Sequence, residues 1–395
     1  MKSIYLDHSA TTPLHTDVLE AMMPYLTDQF GNGSSIHSYG REARNAIDTA
    51  REQVANLIGA KSPSEIVFTS GGTESDNHAV KGLAELQRDR NGNNHIITSS
   101  IEHHAVLHTC QHLEKHGFEV TYLPVNRYGR IRLDDLREAI RDTTVLISIM
   151  HANNETGTIE PIEAICEIAQ EHRIPVHTDA VQSVGKLPLD VQKLGVNLLS
   201  LSGHKIYGPK GIGALYIRRG TRLENLIQGG SHERNRRAGT ENVAGIVGLG
   251  MAAALAKKNR DAYVEHLNRL TGKLRDGLCE KLDHIYENGD PVHCLPGILN
   301  ISFEFVEGES LILRLDMEGI CVSTGSACTS GSMEPSHVLA ALGLPPRLAQ
   351  GTARFSLGKD TTEAEIDEVL EKIPKIVEQM RGLSSAYKRK MKREM

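Results

Sequence analysis

The middle of the chain constrains the fold most. Short apolar runs alternate there with helix-like stretches. The runs are Glu65–Phe68, His95–Thr98, Val120–Pro124, Val145–Met150, Val176–Asp179, Leu198–Leu201 and Gly213–Ile217. Several are β-branched and continuous rather than alternating, as strands covered on both faces require. Between them lie the helix-like segments Glu74–Gln87, Ala105–His116, Leu133–Ile140 and Ile162–His172. Strand, helix, strand in this rhythm predicts an α/β domain with a mostly parallel seven-stranded sheet flanked by helices. Such sheets take ligands in the crevice beyond the carboxyl ends of their strands.

A helix over Tyr39–Ile58 precedes the sheet. After Gly250 a long polar helix pattern, Ala252–Leu282, leads into a smaller α+β domain. Strands at Gly297–Phe303 and Thr352–Ser356, and helices near Glu309–Glu318 and Glu363–Arg381, are predicted there. A chain of 395 residues has room for such a division. The expected large domain is 15–256, and the small one is 1–14 with 257–395. The closing SAYKRKMKREM reads as a frayed, solvated end, with a docking arm for an acidic partner as the alternative.

Composition excludes several classes. Hydrophobic residues at 39% and charged residues at 24% are ordinary globular proportions and argue against a disordered chain. No apolar run approaches the roughly 18 residues of a membrane helix. A net charge of −6 argues against direct nucleic-acid binding. Six scattered cysteines form no C-x-x-C pair, and MKSIYLDHSATTP has no apolar signal core. A reducing, cytoplasmic setting is therefore expected.

Five segments could carry chemistry. In SLSGHKIYGPKGIG, Lys205 sits at a strand end before a Gly- and Pro-rich loop, flanked by Ser202 and His204. A lysine so placed can form a Schiff base with a carbonyl cofactor. In TSGGTESDN, Gly71, Gly72 and Thr73 would set backbone N–H groups at a helix start, a phosphate cradle or simply a capped turn. In HTDAVQS, Asp179 ends a strand, where it could pair with a protonated ring nitrogen, and Gln182 could donate to a ring oxygen. In SSIEHH, His103 or His104 could stack on a ring or move protons. In STGSACTSGS, Cys328 lies among small and hydroxyl residues, with no apolar pattern to bury it, so an accessible loop thiol is expected. Cys110, His112 and His116 have metal-like spacing on a helix, but no second ligand cluster accompanies them.

Together these segments resemble the cysteine desulfurases, members of the fold-type I pyridoxal-phosphate (PLP) enzymes. The likeness covers nearly the whole chain, from YLDHSATTP to the helix after ARFSLG. Its most specific parts are SGHKIYGPKGIGALY and TGSACTSGS, the latter resembling the subgroup with a long mobile cysteine loop. The resemblance implies that Lys205 carries PLP as a Schiff base, Asp179 pairs with its ring nitrogen, and His103 rather than His104 stacks on the ring. It implies that Asn154 and Gln182 face the phenolic oxygen and the substrate, and that Gly72, Thr73, Ser202 and His204 hold the phosphate. Thr240 would reach the phosphate of a neighbouring subunit, implying a homodimer. Arg354 would bind the substrate carboxylate. Cys328 would accept sulfur from L-cysteine as a persulfide, and could serve as a transient iron–sulfur ligand. The implied partners are L-cysteine and an iron–sulfur scaffold protein or other sulfur acceptor, with no membrane. The sequence departs from the family pattern at Gly33, where Pro is usual, at His8, where Asn or Tyr is usual, and in its basic tail. A selenocysteine lyase or aminotransferase, a non-catalytic assembly scaffold, and a metal-binding protein are the rival readings.

Overall fold

A computed structural model describes residues 3–324 and 336–394. Strand β1 (Ile4–Tyr5) precedes helices α1 (Thr16–Leu26) and α2 (Ser38–Ile58). The alternating region follows: β2 (Ile66–Thr69), α3 (Gly72–Asn91), β3 (His95–Ser99), α4 (His104–Glu114), β4 (Glu119–Leu123) and α5 (Leu133–Ala139). It continues through β5 (Thr144–Ser148), α6 (Ile162–Glu171), β6 (Val176–Asp179), α7 (Val191–Leu194), β7 (Leu198–Ser202) and β8 (Gly213–Ile217). After α8 (His232–Asn235) and α9 (Val243–Lys281) come β9 (Ile285–Glu287), β10 (Ile298–Phe303), α10 (Gly308–Met317) and β11 (Ile320–Cys321). The last elements are α11 (His337–Ala341), α12 (Pro346–Ala349), β12 (Thr352–Ser356), α13 (Glu363–Leu383) and α14 (Ser385–Glu394).

The seven expected strands form one sheet in the order β2-β8-β7-β6-β5-β3-β4. β3 through β7 pair in parallel, while β8 is antiparallel to both its neighbours. The unbroken apolar runs are explained by burial on both faces. Ile97, Ile147 and Leu199 pack in one cluster with α2 and α6, and Ile96, Leu146 and Leu198 in another with α3 and α4. A third cluster joins Leu6, Phe303, Phe355 and the apolar face of α13 around the antiparallel sheet β12-β10-β9.

Two expectations are corrected. The long helix begins at Val243, not Ala252. Glycines at 245, 248 and 250 mask its first turns, because glycine lowers helix propensity. Packing explains them: a Cβ on Gly250 would lie 2.6 Å from Ala50, and one on Gly248 would lie 2.6 Å from Met22. The tail, expected to fray, is helical from Ser385 to Glu394. Tyr387 packs its ring 5.5 Å from that of Phe305, and Lys390 lies 3.8 Å from Glu304.

A candidate active site at the strand ends

The carboxyl ends of the central strands open into a cavity of about 430 Å³. Its walls include Gly72, Thr73, His103, Asn154, Asp179, Gln182, Ser202, His204, Lys205 and Arg354. The residues from Gly72 to Lys205 meet at one place because parallel strands put successive loops on the same sheet edge, and Arg354 joins them from β12.

The turn after β2 is built for close backbone approach. Gly71 has φ 157°, and a Cβ on Gly213 would lie 2.8 Å from its Cα. A Cβ on Gly72 would lie 2.7 Å from the Val181 side chain. Gly71 caps α3 with no side-chain hydrogen bond, so the first N–H groups of this 20-residue helix lack that acceptor. Such a terminus suits an anion.

Lys205 ends the short 3-10 turn Gly203–Lys205 that follows β7. Its Nζ donates to the carbonyls of Ser9 and Ala10, the latter at 2.7 Å. Those carbonyls come from the N-terminal segment, which His204 also grips: its carbonyl accepts from Thr12 Oγ1 at 3.0 Å. Asp179 closes β6, and its Oδ1 accepts the Val181 N–H at 2.9 Å. Burial raises its pKa, opposed by that N–H and by Lys205. Gln182 donates to the Ser9 carbonyl at 3.0 Å, and its buried Oε1 has no hydrogen-bond partner.

Both candidate histidines line the cavity, but differently. His103 caps α4, accepting the Ala105 N–H on Nδ1 at 3.1 Å. Burial and Lys205 push its pKa down to about 4, which keeps the ring neutral at pH 7. His104 stacks on His108, with ring centroids 4.7 Å apart, and packs 4.9 Å from His337. Arg354, on β12, is 1% exposed. It donates to Asp7 Oδ1 at 2.7 Å and to the Asn154 carbonyl at 3.0 Å, and its Nε has no hydrogen-bond partner.

Thr240 and the Cys110, His112 and His116 group lie outside this cavity. Thr240 is exposed, on the segment that joins α8 to α9. Cys328 lies outside the described residues. Cys110 is buried in the core, while His112 and His116 pack on each other at 4.3 Å. Sequence reasoning gave no role to Ser9, Ala10, Asp76, Glu155 and His337, although SATTP and SDN belong to motifs it quoted. Their placement depends on long-range folding, with no local signal.

The family described as aminotransferase class-V matches residues 4–369. Over 386 residues the chain is 56% identical to the cysteine desulfurase IscS of Methanosarcina thermophila, spanning 97% of this chain and 94% of that one. The chain belongs to the cysteine desulfurase family of class-V aminotransferases. It is also 54% identical to the cysteine desulfurase IscS of Dictyoglomus turgidum, over 99% of this chain and 98% of that one. Among solved structures, a NifS-like protein superposes with TM-score 0.89 at 41% identity, covering 95% of this chain and 99% of its own. SspA in complex with cysteine superposes with TM-score 0.80 at 42% identity, covering 91% of this chain and all of its own. PLP is the cofactor of this desulfurase family.

Proposed function

We propose that this chain is a cysteine desulfurase that moves sulfur from L-cysteine to Cys328, releasing L-alanine. The observation that carries the reading is the meeting of Lys205, Asp179, Arg354 and the Gly72–Thr73 turn in one cavity. Four features fit PLP. The helix start at Gly72 takes the phosphate, with Thr73, Ser202 and His204 around it. Asp179 takes the ring nitrogen. The Gln182 amide N–H group and nearby Asn154 face the ring oxygen and substrate. Lys205 reaches the carbonyl carbon. When bound, PLP supplies an electrophilic carbon for amines and a ring that withdraws electrons from the substrate Cα.

The chain's own groups do the rest. Arg354 Nε, already buried and without an acceptor, binds the substrate carboxylate. The Lys205 amine would take the proton from the substrate Cα. Neutral His103 packs on the ring without adding a second cation. The Cys328 thiolate attacks the substrate sulfur, an S–S bond forms, and the Cβ–S bond breaks. The electron pair of that bond stays on the three-carbon remnant, which takes up a proton and leaves as alanine. Cys328 keeps the sulfur as a persulfide, so no outside oxidant or reductant is needed.

Intact-protein mass after a short incubation with L-cysteine tests this. The wild type is expected to gain one sulfur and form alanine, while Cys328→Ala gains none. Pyruvate or a transaminated product with no sulfur adduct would overturn the reading. Arg354→Lys keeps the charge beside Asp7 but loses the planar fork. KM for L-cysteine is expected to rise by about 10–100-fold, from a charge-assisted hydrogen bond worth about 1.5–3 kcal/mol, with a smaller change in kcat. A KM within threefold of wild type, about 0.7 kcal/mol, would remove Arg354 from carboxylate binding.

Residues 15–256 are read as the cofactor-holding unit, with 1–14 and 257–395 as the second. A homodimer is part of the same proposal, with Thr240 reaching the partner's phosphate. Exposed apolar side chains support it: Leu26 is 59% exposed, Phe30 73% and Ile36 91%. A cytoplasmic setting and a protein acceptor for the persulfide complete the reading. The described cysteines, all unbridged, support the setting. Among the described residues no helix is long and apolar enough to cross a membrane.

A further inference from the structure

Behind Asp179 lies a second carboxylate that the mechanism does not use. Asp76, on α3, lines the same cavity and is 1% exposed. Its Oδ1 has no hydrogen-bond partner. The basic group beside it is His177 on β6, whose Nε2 lies 3.6 Å from that oxygen. His177 is fully buried, with Nδ1 2.9 Å from Ser148 Oγ and Nε2 3.0 Å from Ser200 Oγ. A neutral imidazole satisfies two hydroxyls, accepting from one and donating to the other. Burial drives the ring further toward that neutral form. His177 therefore supplies no charge to Asp76.

Asp179 is better placed to be an anion. It accepts the Val181 N–H and is drawn down by Lys205. The groups facing Asp76 are Asp179 and His177 on β6, Ser200 on β7 and Glu102 after β3. None carries positive charge. Two buried carboxylates at one site do not both ionise without a cation for each. Burial above all, with the neighbouring Asp179 and Glu102, raises Asp76 against a lowering hydrogen bond from Ser200.

We propose that Asp76 is held as a neutral carboxylic acid, leaving the negative charge at this wall to Asp179. This rests on the reading of Asp179 as partner of the cofactor's ring nitrogen. An ionised Asp76 would draw a proton onto Asp179 and weaken that pairing. The neutral acid keeps the wall polar and closed without competing for the charge.

Infrared difference spectra of cofactor-free protein, wild type minus Asp76→Asn, test the protonation directly at neutral pH. The wild type is expected to show a protonated-carboxyl stretch that shifts in heavy water and is absent from the variant. Labelling wild-type aspartate isotopically at its side-chain carboxyl reads the same band without any variant. PLP is then titrated into the cofactor-free proteins. Asp76→Asn is expected to bind it within about threefold of wild type, a difference of about 0.7 kcal/mol, with an unchanged pH profile of the bound absorbance. Asp179→Asn is expected to bind about tenfold or more weakly, having lost a charge-assisted hydrogen bond. Absence of any protonated aspartate band, or a tenfold weaker Asp76→Asn, about 1.4 kcal/mol, overturns the proposal. Full affinity in Asp179→Asn with the band present overturns the reading of Asp179 but leaves the neutral acid standing.

Discussion

Replacing Lys205 by Ala is expected to lower alanine formation from L-cysteine by about 10²–10⁴-fold, the usual contribution of a positioned general base. Two effects compete to explain such a loss, and their sizes separate them. The first is structural. The Lys205 amine donates to the Ser9 and Ala10 carbonyls, which tie the N-terminal segment to the turn after β7. Losing two such bonds costs about 1–3 kcal/mol each if both carbonyls are left dry. A chain of this kind tolerates that, because Thr12 and His204 hold the same segments together independently. The second effect is chemical: in the proposed reading Asp179 is taken up by the ring nitrogen and Arg354 by the substrate carboxylate, so the Lys205 amine is the group assigned to the Cα proton. His103 is kept neutral but spends Nδ1 on capping α4. Thermal melting should therefore move by a few degrees while turnover collapses. PLP should still bind, through the Gly72 turn and Asp179, but without the covalent absorbance band. Turnover within threefold of wild type, about 0.7 kcal/mol of barrier, would remove Lys205 from the chemistry.

The parts of this site that could be read in the sequence are those whose chemistry is local. Asp179 ends β6, while Lys205 and Gly72 each lie three residues past β7 and β2, and the sheet brings these three strand ends into one cavity. The strands themselves were legible because burial on both faces erases polar alternation. What stayed hidden depends on partners far along the chain. Nothing near Arg354 marks Asp7, 347 residues away, as its ion-pair partner. Nothing in SDN says that Asp76 faces Asp179, because that requires α3 to lie across β6. The first turns of α9 were missed for the opposite reason. Their glycines weaken the local helix signal in order to let α2 approach closely. Likewise the basic tail looks solvated, until Phe305 and Glu304 supply a surface for Tyr387 and Lys390. Cys328, which the motif singles out most clearly, lies outside the described residues, so its role stands on motif and chemistry.

Arg51→Met is expected to destabilise the fold by about 3–5 kcal/mol, the cost of stranding one member of a buried ion pair. Arg51 and Glu233 are each 3% exposed at the side chain. The guanidinium donates to both carboxylate oxygens, at 2.6 and 2.8 Å, and to the Ile66 carbonyl at 2.8 Å. Glu233 also accepts the Phe68 N–H at 3.0 Å. The pair therefore fastens the segment around α8 to both α2 and β2. That segment needs fastening. Glu233, Arg234 and Asn235 all sit in the left-handed region, with φ of 49°, 60° and 63°. Each such residue costs about 1–2 kcal/mol. With the clamp gone, Glu233 is a buried anion without its cation, and the strained turn has less to hold it. Local opening at 231–241 should then precede global unfolding, and limited proteolysis would cut there first. On the proposal that Thr240 of this segment reaches a partner subunit's phosphate, cofactor affinity should fall as well. Comparison with an exposed pair calibrates the claim. Arg269 and Glu363 are 54% and 53% exposed, so Arg269→Met should change stability by less than about 1 kcal/mol. Adding Glu233→Leu to Arg51→Met should recover part of the loss by removing the stranded charge. Urea unfolding of the three variants reads all of this. A loss under about 1 kcal/mol in Arg51→Met would mean that water reaches the pair, and that the left-handed turn stands without it.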